Sequence, residues 1–101
     1  MPRLEQLEAL LASEPNDVFL NYSLAMELAK AQRWEECLAR YDRVIALDPT
    51  YIAAYAQKGK TLIDLGRKEE ARQALAAGTE RAQAAGNRHA KDDMEQLLRA
   101  L

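Results

Sequence analysis

The sequence repeats with a period of 34 residues, and this constrains its fold more than any other feature. The tripeptide Glu14-Pro15-Asn16 recurs as Asp48-Pro49-Thr50 at that offset. The same offset relates Leu7 to Tyr41, Leu10 to Val44, Leu28 to Leu62, Glu36 to Glu70 and Cys37 to Ala71. A fixed period of about 20 to 50 residues is typical of proteins in which similar supersecondary units stack and bury a continuous core. The sequence therefore predicts a repeat architecture.

Two helices are predicted within the first period. Asn16-Asp17 predicts the cap of a helix that runs to about Lys30. Its apolar face is predicted to carry Leu20, Leu24, Leu28 and Ala31. The second helix is predicted from about Trp34 to Leu47, and Asp48-Pro49 ends it because the residue before a proline avoids the helical region. Together the two helices form a hairpin.

The second period predicts the same hairpin again. Thr50 is expected to cap a helix that runs to about Leu65, and Gly66 is expected to end that helix in the left-handed conformation. The return helix is predicted over Lys68–Ala85, where Gly86-Asn87 breaks it. These boundaries assign residues 16–50 to the first repeat and residues 51–85 to the second.

Single helices are predicted on either side of the two hairpins. Residues 3–15 match the return half of an earlier repeat whose first half is missing. Residues 88–101 carry apolar side chains at helical spacing with charged side chains between them, as expected of a helix that caps the last repeat. Residues 1–101 are accordingly predicted to form a single domain, which a chain of this length has room for.

Composition narrows the class of partner. The 14 basic and 16 acidic residues are interspersed, so no net basic face is expected and nucleic acid is not a predicted partner. The N-terminal segment contains Glu5 and Glu8 and lacks the apolar stretch of a signal peptide, and no later run is long enough for membrane insertion. We expect a cytoplasmic protein. Cys37 is the only cysteine, which excludes an internal disulfide.

These repeats resemble the tetratricopeptide repeat family. The second repeat resembles the family pattern through Tyr55, Gly59, Leu62, Gly66, Ala71 and Leu75. The first repeat resembles it through Leu24, Ala25, Leu28, Cys37, Tyr41 and Pro49. The resemblance implies an all-α fold: a right-handed α-solenoid of antiparallel helix hairpins, with about six helices and terminal capping helices.

Three residues depart from the family pattern. Asn21 stands where a large aromatic is expected, Lys58 replaces the leucine before Gly59, and Gln83 takes the place of a proline. The asparagine predicts a looser contact at the start of the first repeat. The glutamine agrees with a return helix that continues to Gly86.

The resemblance implies a scaffold or adaptor that binds a peptide or helix of a partner protein in a concave groove. The first helix of each hairpin lines such a groove, so the expected partner-binding residues are Phe19, Tyr22, Met26, Ala29, Lys30, Ala53, Ala56, Gln57, Lys60, Ile63 and Asp64. Lys30 and Lys60 would contact an acidic group on the ligand. The family's carboxylate-clamp subclass is rejected, because Tyr22, Met26 and Gln57 occupy three of the clamp positions.

Two alternatives to a groove remain open. Phe19, Tyr22 and Met26 are also explained as ordinary packing residues, against the N-terminal helix for example. The chain is alternatively a structural module that acts as part of a longer repeat array or as a homodimer, associating through the capping helix or an exposed face of Leu4, Leu7 and Leu11.

No catalytic, metal or cofactor site is predicted. His89 stands alone near a helix start and is interpreted as a solvated surface residue. The acid pairs Glu35-Glu36 and Asp92-Asp93 are neighbours on a helix, whose side chains point in different directions. Cys37 has a small-residue packing role, and the chain is not expected to be an enzyme.

Overall fold

The computed structural model describes residues 3–101, so Met1 and Pro2 of the predicted domain lie outside the described residues. Within this range the protein consists of six helices joined by short turns. They are α1 (Arg3–Ser13), α2 (Val18–Lys30), α3 (Trp34–Leu47), α4 (Ile52–Asp64), α5 (Lys68–Ala84) and α6 (Arg88–Arg99). The predicted helices are confirmed, with ends that differ by one or two residues.

The chain forms two compact units that divide between Asp48 and Pro49. Unit 1 contains α1, α2 and α3, and unit 2 contains α4, α5 and α6. In unit 1, α2 packs against both α1 and α3. Its core consists of Leu7, Leu11, Leu24, Ala25, Leu28, Cys37, Leu38, Tyr41 and Val44. Burying each large apolar side chain contributes about 1.5 to 3 kcal/mol, so this shared core holds the three helices together.

The start of α2 follows the prediction, whereas the start of α4 does not. Asp17 caps α2, and its Oδ1 accepts a hydrogen bond of 2.8 Å from the amide of Leu20. The expected cap at Thr50 is wrong, because α4 begins at Ile52 with Tyr51 at the N-cap position. Ala31 is also not on the core face: it is the exposed residue that ends α2.

The same turn follows α2, α4 and α5. Gly66 and Gly86 adopt φ angles of 76° and 71°, which confirms the predicted left-handed conformation of Gly66 and the predicted helix break at Gly86. Gln32 adopts the same conformation with φ 59°, although no glycine marks the turn after α2. In each turn the amide of the next residue donates to the carbonyl five residues earlier: Arg33 to Leu28 O at 2.9 Å, Arg67 to Leu62 O at 2.9 Å and Asn87 to Ala82 O at 2.8 Å.

Unit 2 is built on the close approach of α5 to its neighbours. A Cβ atom added at Gly59 on α4 would lie 2.5 Å from Leu75 Cδ2, which confirms that this glycine lets the two helices of the hairpin meet. A Cβ atom at Gly78 on α5 would lie 2.6 Å from both Tyr55 Cβ and Met94 Sδ. Gly78 therefore allows α5 to pack tightly against α4 on one side and α6 on the other.

The predicted loose contact at Asn21 is wrong. Asn21 is 0% exposed, and its Nδ2 donates to the carbonyls of Pro15 and Asp17 at 3.1 and 2.9 Å. Its Oδ1 accepts a hydrogen bond of 2.9 Å from Arg40 Nη1 on α3. Because every polar group of the buried amide has a partner, the asparagine fixes the start of α2 instead of loosening it.

Candidate protein-binding surfaces

Unit 1 exposes one aromatic side chain on α2. Phe19 is 66% exposed, an unusual state for a phenylalanine in a chain with only six aromatic residues in every hundred. Phe19 lies in the first turn of α2, off the buried face of the helix, and neither α1 nor α3 covers its ring. The ring of Phe19 is thus open to solvent, and its role in binding a partner stays a prediction.

Tyr22 and Met26, by contrast, are largely used within the hairpin. The rings of Tyr22 and Tyr41 lie 6.0 Å apart at 56°, an edge-to-face type of contact. The hydroxyl of Tyr41 donates to Met26 Sδ at 3.2 Å, and burial raises the pKa of this tyrosine. Both side chains are half-buried. The alternative interpretation as packing residues therefore applies to Tyr22 and Met26. They pack against Tyr41 of α3 and not against the N-terminal helix, as that interpretation had suggested.

Lys30, at the end of α2, is exposed and belongs to a surface ion-pair network. Its Nζ lies 3.3 Å from Glu27 Oε1, which also accepts a hydrogen bond of 3.1 Å from Arg3 Nε on α1. Exposed pairs of this kind contribute at most about 1 kcal/mol, so Lys30 can exchange this partner for a ligand at little cost.

In unit 2, α4 and α6 border an apolar cleft of about 190 Å³. Its walls consist of Ile52, Ala53, Ala56 and Lys60 from α4 and Asn87, His89, Ala90, Asp93, Met94 and Leu97 from α6. Small side chains on α4 leave the space open, and Met94 forms a buried apolar base. An apolar cleft with a few polar groups on its borders is the usual form of a ligand site.

Three predicted residues on α4 lie outside the cleft lining. Gln57 is half-buried and its carbonyl accepts a hydrogen bond of 2.9 Å from Thr61 Oγ1. Ile63 is half-buried and Asp64 is exposed near the end of the helix. Of the positions predicted on α4, the structure brings Ala53, Ala56 and Lys60 together at one site.

Comparison with known proteins gives the family. The family model described as tetratricopeptide repeat matches residues 28–91, more than half of the chain. The chain belongs to the tetratricopeptide repeat family. Members of this family are generally protein-protein interaction modules without catalytic activity, and the predicted all-α fold of successive hairpins is confirmed.

Solved tetratricopeptide repeat structures are similar over most of the chain. A protein from Bordetella parapertussis has a TM-score of 0.85 and 30% identity, covering 99% of this chain and 87% of its own. A repeat domain from Salinibacter ruber has a TM-score of 0.78 and 28% identity, covering 83% and 85%. The TPR2B domain of yeast Sti1, solved as a complex with pHsp70, has a TM-score of 0.86 at 22% identity over 94% of this chain and 76% of its own, which shows the fold alone.

A curated relative is much longer than this chain. The peroxisomal targeting signal receptor of Candida albicans is 31% identical over 75 residues, which are 74% of this chain. The chain spans 13% of that receptor's length. The similarity therefore concerns the repeat region and not the whole receptor.

The α6 half of the cleft was missed by sequence reasoning. The polar outer face of α6 suggested only a cap for the last repeat, and His89 was interpreted as a solvated residue. His89 is indeed exposed, but it also borders the cleft, with Nε2 3.3 Å from Asp93 Oδ2. The available signal was the order of the helices, because α6 follows the return helix α5 as α4 follows the return helix α3.

The exposed face proposed for homodimer formation is wrong in its residues. Leu7 and Leu11 are 5% and 8% exposed because they pack within unit 1, and Leu4 is half-buried. The exposed leucine of α1 is Leu10, at 53%. The repeat period alone could not distinguish the buried leucines of α1 from the exposed one, because all four lie on one half of the helix.

The described residues contain neither of two other classes of site. Across residues 3–101 there is no group of three His, Cys, Asp or Glu side chains that could hold a metal ion. Over the same range, no helix has the length and apolar character required to cross a membrane. Cys37 is fully buried in the unit 1 core, which confirms its predicted packing role.

Proposed function

We propose that this protein is an adaptor that binds a segment of a partner protein on the first helices of its repeats. In unit 2 the binding site is the α4–α6 cleft, and in unit 1 a separate contact site is the exposed ring of Phe19 on α2. The observation that carries the proposal is the open apolar cleft, whose wall of small residues on α4 leaves room for side chains of another molecule.

The similar proteins support binding as the activity. One is a targeting signal receptor and another was solved as a complex with pHsp70. Burial of a few apolar side chains in a cleft of this size is consistent with micromolar affinity, about 8 kcal/mol of binding free energy. A single anchoring aromatic such as Phe19 can contribute about 2 kcal/mol of that energy.

The test is selection of ligands from a random-peptide phage library on the full chain. Ala53→Phe places a ring in the cleft, and we expect it to weaken binding of the selected peptides at least about tenfold. Ala76→Phe is the matched control, because Ala76 is an exposed residue of α5 that does not line the cleft. Both variants should keep the helical circular dichroism of the wild type.

Phe19→Ala tests the unit 1 contact in the same assay. We expect a loss of about tenfold or more for selected peptides that bind at α2, with unchanged thermal stability because the ring is exposed. If Ala53→Phe and Phe19→Ala both bind the selected peptides as well as the wild type does, the adaptor proposal is wrong.

A second candidate function is association with another copy of the chain. The exposed leucine Leu10 on α1 favours it, since a large apolar side chain on the surface often marks a contact site. Light scattering over a concentration series separates the two candidates. A mass that stays at that of one chain at high concentration excludes self-association, whereas Leu10→Glu should abolish any dimer that forms.

A further inference from the structure

Two opposite charges border the apolar cleft from facing helices. Lys60 extends from α4 and Asp93 from α6, and both side chains are exposed. Within residues 3–101 no acidic side chain forms an ion pair with Lys60. The Asp93 carboxylate has one partner, the imidazole of His89 at 3.3 Å.

Both charged groups have hydrogen-bonding capacity beyond their present contacts. A lysine ammonium has three donors, and a carboxylate has about four acceptor sites. Lys60 and Asp93 do not pair with each other, so a bound segment could contact each of them separately. A wholly apolar ligand would shield both charges from solvent without replacing their hydrogen bonds, which is unfavourable.

The cleft is long enough for a short segment. Its α4 wall runs from Ile52 to Lys60, a rise of about 12 Å along the helix. An extended chain rises about 3.3 Å per residue, so roughly four residues fit along this wall. That length holds an apolar side chain over the Ala56 and Met94 surface, with Lys60 on one wall of the cleft and Asp93 on the other.

We infer that the α4–α6 cleft selects a partner segment that combines an apolar side chain with one acidic and one basic side chain. The acidic group pairs with Lys60 and the basic group with Asp93. This inference rests on the proposed function and adds the class of partner. The net charge of the whole chain, −2, gives no reason for an acidic group in the ligand, so the acidic requirement comes from Lys60 itself.

The experiment uses four sets of synthetic peptides that share one apolar core and have acetylated and amidated ends, so that no terminal charge contributes. One set carries an acid and a base, one carries two neutral amides, one carries two acids, and one carries two bases. Fluorescence anisotropy with the full chain at low ionic strength measures affinity. We expect the acid-base set to bind about fivefold better than the neutral set, with a preference that declines as salt is added.

Charge variants identify the groups responsible. Lys60→Glu leaves two acidic groups at the cleft and should change the preference to peptides with two basic side chains. Asp93→Lys should change it to peptides with two acids. Lys68→Glu is the control, because it makes the same change in net charge at an exposed position of α5 outside the cleft, and its preference should match the wild type.

Each other outcome overturns the inference in a recognisable way. If all peptide sets bind equally and Ala53→Phe still abolishes binding, the charge selection is wrong and the adaptor proposal stands. If Lys68→Glu shifts the preference as much as Lys60→Glu does, net charge and not the cleft is responsible. If no peptide depends on Ala53, the proposed site fails together with the inference.

Discussion

The hairpins α2–α3 and α4–α5 place Asn21 and Tyr55 at the same position of the repeat. Both side chains donate a hydrogen bond to the proline carbonyl six residues earlier, Asn21 to Pro15 at 3.1 Å and Tyr55 to Pro49 at 2.7 Å. The two side chains differ greatly in volume. A repeat position can thus preserve a hydrogen bond while the residue that makes it changes completely.

The return helices compensate for this difference in volume. The counterpart of Gly78, which contacts Tyr55, is the fully buried Val44 in the first hairpin. Arg40, which bonds to Asn21, is replaced at the same position in the second hairpin by Ala74. The large residue lies on the first helix in one hairpin and on the return helix in the other. A small residue on one helix of a hairpin is therefore matched by larger residues on the other helix, and the residue at each position is not preserved.

The first helices also differ on their exposed faces. Phe19 on α2 and Ala53 on α4 are related by the repeat period, and both are exposed. Unit 1 therefore presents a protruding ring where unit 2 presents part of the cleft wall. The same position carries a large exposed side chain in one hairpin and a small exposed side chain in the other.

The largest loss of stability is expected when Gly78, the small residue on the return helix of the second hairpin, is replaced by a larger one. Gly78→Val installs the residue of the first hairpin, but its Cβ would lie 2.6 Å from Tyr55 Cβ and force α4 and α5 apart. We expect a loss of about 3 kcal/mol in the free energy of unfolding, measured in urea by circular dichroism. Ala76→Val on the exposed face of α5 controls for helix propensity and should cost about 0.6 kcal/mol. Equal losses in both variants would contradict volume compensation.

Restoring the family's aromatic in the first hairpin is expected to destabilise it. Asn21→Tyr introduces a ring into space that Val44 and Arg40 already fill, and we expect a loss of about 2 kcal/mol. Arg40→Ala in the same chain opens that space. The double variant should be more stable than the sum of the single changes implies, and additive losses would argue against the shared volume.

Substitutions in the turns are expected to change stability less, and the substitution after α2 should stabilise the fold. Gln32→Gly removes the cost of a left-handed side chain after α2, and we expect a gain of about 1 kcal/mol, or about 4 °C in melting temperature. Gly66→Ala in the second hairpin should lose about the same amount. A lower melting temperature for Gln32→Gly would show that the glutamine side chain stabilises its turn.

The smallest effect concerns a feature that both hairpins share. Hydrogen bonds from Arg33 and Arg67 lower the pKa values of Glu36 and Glu70 below 4.5 in the folded protein. Because the folded pKa is depressed, each glutamate stabilises the fold above pH 4.5 and loses this contribution as the pH falls through the lowered pKa. Glu36→Gln and Glu70→Gln should reduce the melting temperature slightly at neutral pH and not at strongly acid pH.

Glu80→Gln is the control for this pH dependence, since Glu80 is an exposed glutamate of α5 that forms no ion pair within residues 3–101. Its effect should not change with pH. Equal responses of all three variants would exclude a specific contribution from the arginine pairs.

The sequence predicted the helices and the glycine turns because their signals are local. Glycine at positions 66 and 86 favours a left-handed turn by residue type, whereas the residue type of Gln32 gives no such signal. The buried role of Asn21 depends on Arg40, 19 residues away, which local patterns do not relate to it.

The candidate site was predictable only in part, for a similar reason. Helical spacing placed Phe19, Tyr22 and Met26 on one stripe, but it could not show that Tyr41 contacts two of them and leaves Phe19 exposed. On α4 it identified Ala53, Ala56 and Lys60, whereas the opposite wall of the cleft depends on how α6 packs against α4 and α5.

Binding at the α4–α6 cleft is tested most directly by an NMR titration of the isotope-labelled chain with a peptide selected on it. The account predicts that the largest amide shift changes fall at Ala53, Ala56 and Lys60 on α4 and at Ala90 and Leu97 on α6, and that Ala53→Phe suppresses them. Shift changes centred on the outer face of α5 around Ala76, with none at the cleft, would contradict it.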